Sequence, residues 1–130
     1  MGAKCRTTPV WVRIGQLMRL LLDNCVNQRF GRLVSEAECV HVRQLGWAEL
    51  TNGKLLSAAE EARFDVLLTV DQNVRMQQNL AARDISLITL DARSITIDGL
   101  TPFGLLVDEV LAQIKRESLT GQDFVVALPK

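Results

Sequence analysis

The chain has 130 residues, of which 48% are hydrophobic and 23% charged, and its formal net charge is +0. This length and composition are typical of one globular domain with a sizeable core. The sequence has no run of about 18 apolar residues, which argues against a transmembrane helix. The balanced charge also lacks the basic excess that nucleic-acid-binding proteins usually show. Three cysteines without metal-type spacing favour reduced thiols in the cytoplasm over a disulfide framework.

A regular alternation of elements begins at Met18. Residues 1–17 precede it and are predicted to be an N-terminal extension, either disordered or a partner-contacting arm. Residues 18–130 are predicted to form a single domain. Its first element, MRLLLD, is a continuous apolar run of strand length, which is typical of a strand covered on both faces.

Helix and strand patterns then follow in turn. VNQRFGRLVSEAE has apolar residues at helical spacing, with Asn24 or Asn27 as its cap. CVHVRQL alternates as a strand does. TNGKLLSAAEEARF predicts a helix that Thr51 or Asn52 caps. DVLLTV predicts a strand, QNVRMQQNLAA a short helix, and DISLITL another strand.

The last third of the chain contains the clearest helix, TPFGLLVDEVLAQIKRE, preceded by the loop-like segment ARSITIDGL. Thr101 is predicted to cap this helix and Pro102 to occupy its first position. Its predicted buried face consists of Phe103, Leu106, Val110 and Ile114. FVVALP then predicts an edge strand that ends at Pro129. Strands that alternate with helices indicate a three-layer α/β domain, in which helices flank a mostly parallel central sheet.

Three apolar runs end on an aspartate, at Asp23, Asp71 and Asp91. Parallel strands place their carboxyl ends at one edge, where open α/β sheets bind ligands. Carboxylates gathered there repel one another unless a cation offsets their charge, and hard oxygen ligands suit Mg²⁺ or Mn²⁺. Such ions activate water and neutralise the leaving oxygen in phosphodiester cleavage. The sequence therefore predicts a metal site at this edge.

Each aspartate also has a simpler interpretation, because aspartate commonly caps the helix or forms the turn that follows a strand. For any one aspartate alone, the cap is the favoured interpretation. Three at corresponding ends favour a site, with Asp23 and Asp71 as the better pair, since Asp91 precedes a loop-like segment. His41 is predicted to be a hydrogen-bonded core or surface histidine. Cys25 is predicted to pack in the core rather than to react.

The segments RLLLDNCVNQRFGRLV and VHVRQLGWAELTNGKLLSAAEEARFDVLLTVDQN resemble the PIN-like family of small bacterial proteins, which is related to PIN-domain ribonucleases. The resemblance runs from about Met18 to Leu90, and its most specific parts are LLDN, VRQLGWA and LLTVDQN. It implies a PIN-like fold and, in active members, a metal-dependent nuclease site. Asp23 and Asp71 match two acidic positions of that site.

The third acidic position of the family, usually in a Ser-Asp-Glu run that opens the second helix, falls on TNG, so Asn52 stands there. An asparagine supplies a carbonyl oxygen to a cation but brings no charge. Glu49, three residues earlier, is the candidate substitute. The resemblance also implies, by analogy with PIN-type ribonucleases, a toxin held by an antitoxin protein.

Two functions remain as expectations. One is a Mg²⁺- or Mn²⁺-dependent endoribonuclease, and the other is a catalytically degenerate PIN-like module that binds a protein or nucleic-acid partner. In the nuclease, Asp23 and Asp71 hold the ion. Further candidates are Asn52, Glu49 and Asp91 for the metal, and Asn24, Asn73 and Arg75 for water or RNA phosphate. A phosphate-accepting receiver domain is disfavoured because Asn24 replaces the second acid expected after the first strand. A homo-oligomer is left open.

Overall fold

The computed structural model describes residues 18–92 and 97–127, and the structural statements below concern those residues. The predicted extension over 1–17 and the predicted end of the last strand at Pro129 lie outside them. Within the two described ranges, no helix is long and apolar enough to cross a membrane.

Five strands form one sheet in the order β2-β1-β3-β4-β5, and every neighbouring pair is parallel. The strands are β1 (Met18–Leu22), β2 (Ala37–His41), β3 (Val66–Thr69), β4 (Ser86–Asp91) and β5 (Asp123–Ala127). Parallel neighbours need a crossover connection between them. All five carboxyl ends therefore lie at one edge of the sheet, which we call the carboxyl edge. The predicted α/β fold with a mostly parallel sheet is confirmed, and the sheet is parallel throughout.

The described connections contain α-helices and short 3₁₀ helices. The α-helices are α1 (Asn52–Glu61), α2 (Gln72–Gln77), α3 (Ile97–Leu100) and α4 (Phe103–Glu117). The 3₁₀ helices are Gln28–Leu33, Val42–Leu45 and Leu80–Ala82. Helix α3 lies in the segment predicted to be a loop, of which residues 93–96 are outside the described ranges.

Two apolar cores lie on opposite faces of the sheet, because successive strand residues point to opposite sides. Leu20 and Leu22 belong to the core under α4 and the first 3₁₀ helix, where Phe30 is fully buried. Leu21 belongs to the core under α1 and α2. The helices therefore cover both faces and give the three layers that the sequence predicts.

The segment after β1 is a short 3₁₀ helix, where the sequence predicted a longer one. Asn27 caps it, because its side-chain oxygen accepts a hydrogen bond from the backbone N–H of Arg29 at 2.9 Å. Gly31 lies in its middle, and an added Cβ there would lie 3.0 Å from the Cβ of Cys39. The helix thus rests directly on β2, and an interior glycine costs an α-helix about 1 kcal/mol relative to alanine.

The strand predicted over CVHVRQL ends at His41, because this residue caps the next 3₁₀ helix. Its Nδ1 accepts a hydrogen bond from the backbone N–H of Arg43 at 3.1 Å, and the side chain of Gln44 accepts from the His41 N–H at 2.8 Å. The Nε2 of His41 bonds the carbonyl oxygen of Val26 at 2.8 Å. The prediction of a hydrogen-bonded histidine is confirmed, since the residue is buried and both ring nitrogens have partners.

Helix α4 begins at Phe103, with Pro102 just before it, and its buried face differs from the predicted one. Leu106 and Val110 are only half-buried. The buried residues are Phe103, Gly104, Val107, Leu111 and Ile114. An added Cβ at Gly104 would lie 2.9 Å from the carbonyl oxygen of Leu33, so the helix approaches the first 3₁₀ helix at this glycine. That close contact sets the rotation of the helix, which apolar spacing alone does not define.

Candidate active site at the carboxyl edge

The direction of the strand order reverses between β1 and β3. From β1 the chain moves outward to β2 and then returns to the other side of β1 to form β3. In sheets of order 2-1-3-4-5, ligands bind in the crevice beyond the carboxyl ends at this switch point. Asp23 directly follows β1, and Asp71 lies two residues after β3. The two aspartates therefore stand at the ends of the strands that flank the switch point.

A buried threonine connects the two aspartates. The hydroxyl of Thr69, the last residue of β3, donates a hydrogen bond to Oδ2 of Asp23 at 2.7 Å. Oγ1 of Thr69 also accepts a hydrogen bond from the backbone N–H of Asp71 at 3.0 Å. In addition, the N–H of Asp23 donates to the carbonyl oxygen of Leu68 at 2.9 Å. Because Thr69 is fully buried, these bonds fix the Asp23 carboxylate and the backbone at Asp71 relative to each other.

Both aspartates also serve the local backbone. Oδ1 of Asp71 accepts from the N–H of Asn73 at 2.9 Å, so Asp71 is the N-cap of α2. Oδ1 of Asp23 accepts from the N–H of Asn24 at 2.8 Å. The capping interpretation is confirmed for Asp71. These hydrogen bonds do not occupy all the acceptor sites of either carboxylate, because an ionised carboxylate has about four lone-pair sites.

Cys25 packs against this pair as an uncharged thiol. Its Sγ lies 3.6 Å from Oδ2 of Asp23 and 3.3 Å from Oγ1 of Thr69. Burial raises the pKa of the Cys25 thiol, and the negative charge of Asp23 adds to that rise in pKa. The thiolate is the nucleophilic form of cysteine. The environment thus favours packing over reactivity, as the sequence predicts.

Asn52, the predicted substitute for the third acid, is the first residue of α1. The next residue, Gly53, faces the far end of α2: an added Cβ there would lie 3.7 Å from Nε2 of Gln78. Gln78 follows the last residue of α2, whereas Asp71 caps its first turn. Six helical residues span about 9 Å. The structure thus places this end of α1 beside the opposite end of α2 from Asp71.

Glu49 and Asp91 are both exposed, Glu49 in the turn before α1 and Asp91 at the end of β4. Over residues 18–92 and 97–127, neither forms a hydrogen bond with Asp23 or Asp71. The same ranges contain no group of three or more His, Cys, Asp or Glu side chains that could hold a metal ion. What the structure brings together at the carboxyl edge is therefore the Asp23 carboxylate, the Thr69 hydroxyl and the backbone N–H of Asp71.

Of the residues predicted to face RNA, Asn24 and Asn73 lie at the site and Arg75 points away from it. Asn24 and Asn73 are exposed, and each directly contacts the neighbouring aspartate through its backbone N–H. Arg75 forms an ion pair with Asp123, with Nε 3.1 Å from Oδ2. Asp123 is on β5, three strand spacings or roughly 14 Å from β1. The ion pair therefore holds Arg75 towards β5, away from Asp23.

Sequence reasoning missed Thr69 and Arg43. Thr69 is the polar residue of the buried strand VLLT, and its position two residues before Asp71 is the signal that was available. Arg43 had no such signal, because the strand was predicted to run through it. In the structure the Nε of Arg43 donates to Oδ1 of Asn24 at 2.9 Å, which places its guanidinium next to the end of β1.

Comparisons with protein families, with curated proteins and with solved structures found no match to this chain. The resemblance to the PIN-like family therefore stays a prediction. The strand order is compatible with many activities, since one α/β architecture hosts unrelated functions. Function has to be argued from the side chains at the carboxyl edge.

Proposed function

We propose that the protein is a metal-dependent endoribonuclease of PIN-like type, in which Asp23 and Asp71 hold Mg²⁺ or Mn²⁺. One observation carries the proposal: Asp23 and Asp71 follow the strands that flank the switch point, and Thr69 joins the Asp23 carboxylate to the backbone N–H of Asp71. The predicted resemblance to ribonucleases supports the same activity. Because the net charge is neutral, the proposal depends on this local site rather than on a basic surface.

The donor set fits a hard cation that keeps several of its waters. Enzymes commonly bind Mg²⁺ through one or two carboxylates, and waters and substrate phosphates complete its octahedral shell. Asp23 and Asp71 supply two carboxylates with lone pairs beyond those used in the protein. Carboxylate oxygens are hard ligands, which suit Mg²⁺ or Mn²⁺.

The chain's own residues contribute position and orientation. A divalent ion bound at two carboxylates activates water and neutralises charge on the leaving oxygen of a phosphodiester. Thr69 holds the Asp23 carboxylate in one orientation, and the N-cap bond to Asn73 does the same for Asp71. Asn24 and Asn73, both exposed beside these carboxylates, are placed to hydrogen-bond water or an RNA phosphate.

The proposed setting is a toxin–antitoxin pair, by analogy with PIN-type ribonucleases. The partner is then an antitoxin protein that covers the carboxyl edge. A cytoplasmic location accompanies this proposal, and the free thiols of Cys25 and Cys39 fit a reducing compartment. Sedimentation velocity on the purified chain distinguishes a monomer that awaits a partner from a homo-oligomer.

A catalytically degenerate PIN-like module is the second candidate. The observation that favours it is the position of Asn52, whose neighbour Gly53 packs beside Gln78 rather than towards Asp71. A module of this kind binds its protein or nucleic-acid partner at the carboxyl edge without a divalent ion. It predicts partner binding that is indifferent to chelation, together with no RNA cleavage.

The deciding experiment is an RNA cleavage assay in Mg²⁺ or Mn²⁺, compared with the same assay in excess chelator. Asp23→Asn and Asp71→Asn each remove one charge, and at position 71 an asparagine still caps α2 as well as aspartate does. Each is expected to reduce cleavage by more than the roughly 10- to 100-fold that loss of a metal's outer-shell partner costs. Asp123→Asn, the same change at a surface ion pair on β5, is the matched control and is expected to keep full activity.

Cleavage that persists in chelator, or that persists in both Asp23→Asn and Asp71→Asn, would contradict the proposal. Activity lost equally in Asp123→Asn would show that the assay follows stability rather than the site. Circular dichroism of each variant separates these outcomes from loss of the fold.

A further inference from the structure

A cavity of about 290 Å³ opens at the carboxyl ends of β1 and β2, on the face of the sheet that the first 3₁₀ helix covers. Leu22, the last residue of β1, and His41, the last residue of β2, form part of its wall. Its longer polar side chains are Gln28, Arg32 and Gln44. The lining thus contains amide donors and an arginine but no carboxylate among the described residues, which is the composition of a pocket for an anion.

Arg43 links the wall of this cavity to the segment that carries Asp23. Two residues of the cavity wall, His41 and Gln44, flank it in the chain, and its backbone N–H is held by the ring of His41. Its Nε donates to Oδ1 of Asn24, whose own N–H donates to Oδ1 of Asp23. The guanidinium is therefore fixed through Nε, and none of its four terminal N–H groups donates to a residue of the described ranges.

The arginines in the described part of the chain differ in whether a carboxylate lies close to their charge. Three of them contact a carboxylate within 4 Å: Arg19 with Glu38, Arg75 with Asp123, and Arg83 with Glu60. Arg43 is exposed and is held by a neutral amide, and no described carboxylate lies within 4 Å of it. An arginine fixed in this way is ready to bind a phosphate with both terminal nitrogens, the geometry for which guanidinium is suited.

We infer that Arg43 and the adjoining cavity form a subsite for the backbone of single-stranded RNA. This inference rests on the proposed nuclease function and deepens it, because it assigns a phosphate next to the scissile one to Arg43. The neighbouring nucleotides of the RNA then pass along the cavity wall at Gln28, Arg32 and Gln44. A basic groove that follows the backbone is the usual way in which proteins bind single strands without sequence preference.

The test is the binding of a fluorescently labelled single-stranded RNA oligonucleotide, measured by anisotropy in chelator so that no cleavage occurs. Titrations at salt concentrations from about 50 to 200 mM give the slope of log K against log salt. Arg43→Gln is expected to weaken binding roughly tenfold, as loss of one charge-assisted contact implies. The slope should fall by about 0.7, the contribution of one phosphate contact on a single strand.

Arg116→Gln is the matched control, because Arg116 is exposed in the last turn of α4, at the opposite edge where β5 begins. It removes the same charge and should leave the affinity and the salt slope unchanged. Arg32→Gln should lower both, because Arg32 lines the cavity.

Equal effects of Arg43→Gln and Arg116→Gln, or no binding by the wild type at low salt, would overturn the inference. Inorganic phosphate is a competitor in the same assay. If it displaces RNA at a concentration equal to that of the RNA phosphates, the site takes a free anion and the strand assignment fails.

The RNA subsite and the nuclease proposal can be refuted independently of each other. Binding that depends on Arg43, without any metal-dependent cleavage, would retain the RNA subsite and reject the nuclease. Cleavage with an unchanged KM in Arg43→Gln would retain the nuclease and reject the subsite.

Discussion

Thr69 and Thr89 provide an internal comparison of two identical side chains at the carboxyl edge. They are register partners on β3 and β4, both are fully buried, and both point to the face covered by α1 and α2. Thr69 bonds Asp23 and the backbone of Asp71. The hydroxyl of Thr89 has no hydrogen-bond partner among the described residues. Replacing each by valine therefore exchanges a hydroxyl for a methyl group in opposite circumstances.

The expected changes in the free energy of unfolding have opposite signs. In Thr69→Val, Asp23 loses a charge-assisted hydrogen bond and the N–H of Asp71 loses its acceptor, which together cost about 2 to 4 kcal/mol. In Thr89→Val, the penalty of an unsatisfied buried hydroxyl is removed, which adds about 1 to 3 kcal/mol. For a domain of this size, each kcal/mol shifts Tm by roughly 3 to 5 °C.

Calorimetry at neutral pH in chelator measures both shifts on the protein alone. We expect Tm to fall in Thr69→Val and to rise in Thr89→Val. If Thr89→Val destabilises as much as Thr69→Val, then the Thr89 hydroxyl has a partner. The two threonines would then be equivalent, which would contradict a special role of Thr69.

Three further predictions concern the rest of the fold. Asp108→Ala should lower the free energy of unfolding in urea by about 1 to 3 kcal/mol, because Asp108 accepts hydrogen bonds from three donors in the loop before β2; the exposed Glu109→Ala should change little. Burial, followed by the charges of Asp108 and Glu38, raises the pKa of Cys39 from 9.0 to about 11. The folded state therefore holds that proton more tightly, so stability should decline as pH rises from 9.0 to about 11, and Cys39→Ala should flatten the decline in urea midpoints. His41→Ala should destabilise more than His41→Asn, since asparagine preserves a helix cap; equal urea midpoints would contradict the capping role.

The sequence predicts β1, β3 and β4 well because each is a continuous apolar run, and a parallel sheet covered on both faces requires such runs. The strand predicted over CVHVRQL was too long for a local reason. His41 fits a strand pattern by its neighbours, yet its ring accepts the N–H of Arg43 and ends the strand. Hydrogen bonds of this kind depend on side-chain geometry and leave no trace in apolar periodicity.

The candidate site was predictable in part. The positions of Asp23 and Asp71 follow from the rule that parallel strands share a carboxyl edge. The role of Thr69 requires the register of β3 against β1, which pairs Leu68 with Leu22. The position of Arg43 requires the early end of β2. Both depend on tertiary structure, so a motif-based prediction names the acids and misses the groups that position them.

The most direct test of the central claim is a thermal-shift titration with Mg²⁺ and Mn²⁺. An ion that binds only the folded state stabilises it by about 2.7 kcal/mol at a concentration of 100 Kd. Wild type and Asp123→Asn should show this rise in Tm, whereas Asp71→Asn and Asp23→Asn should not. Equal shifts in all four proteins, or no shift in the wild type at millimolar cation, would contradict a metal site at Asp23 and Asp71.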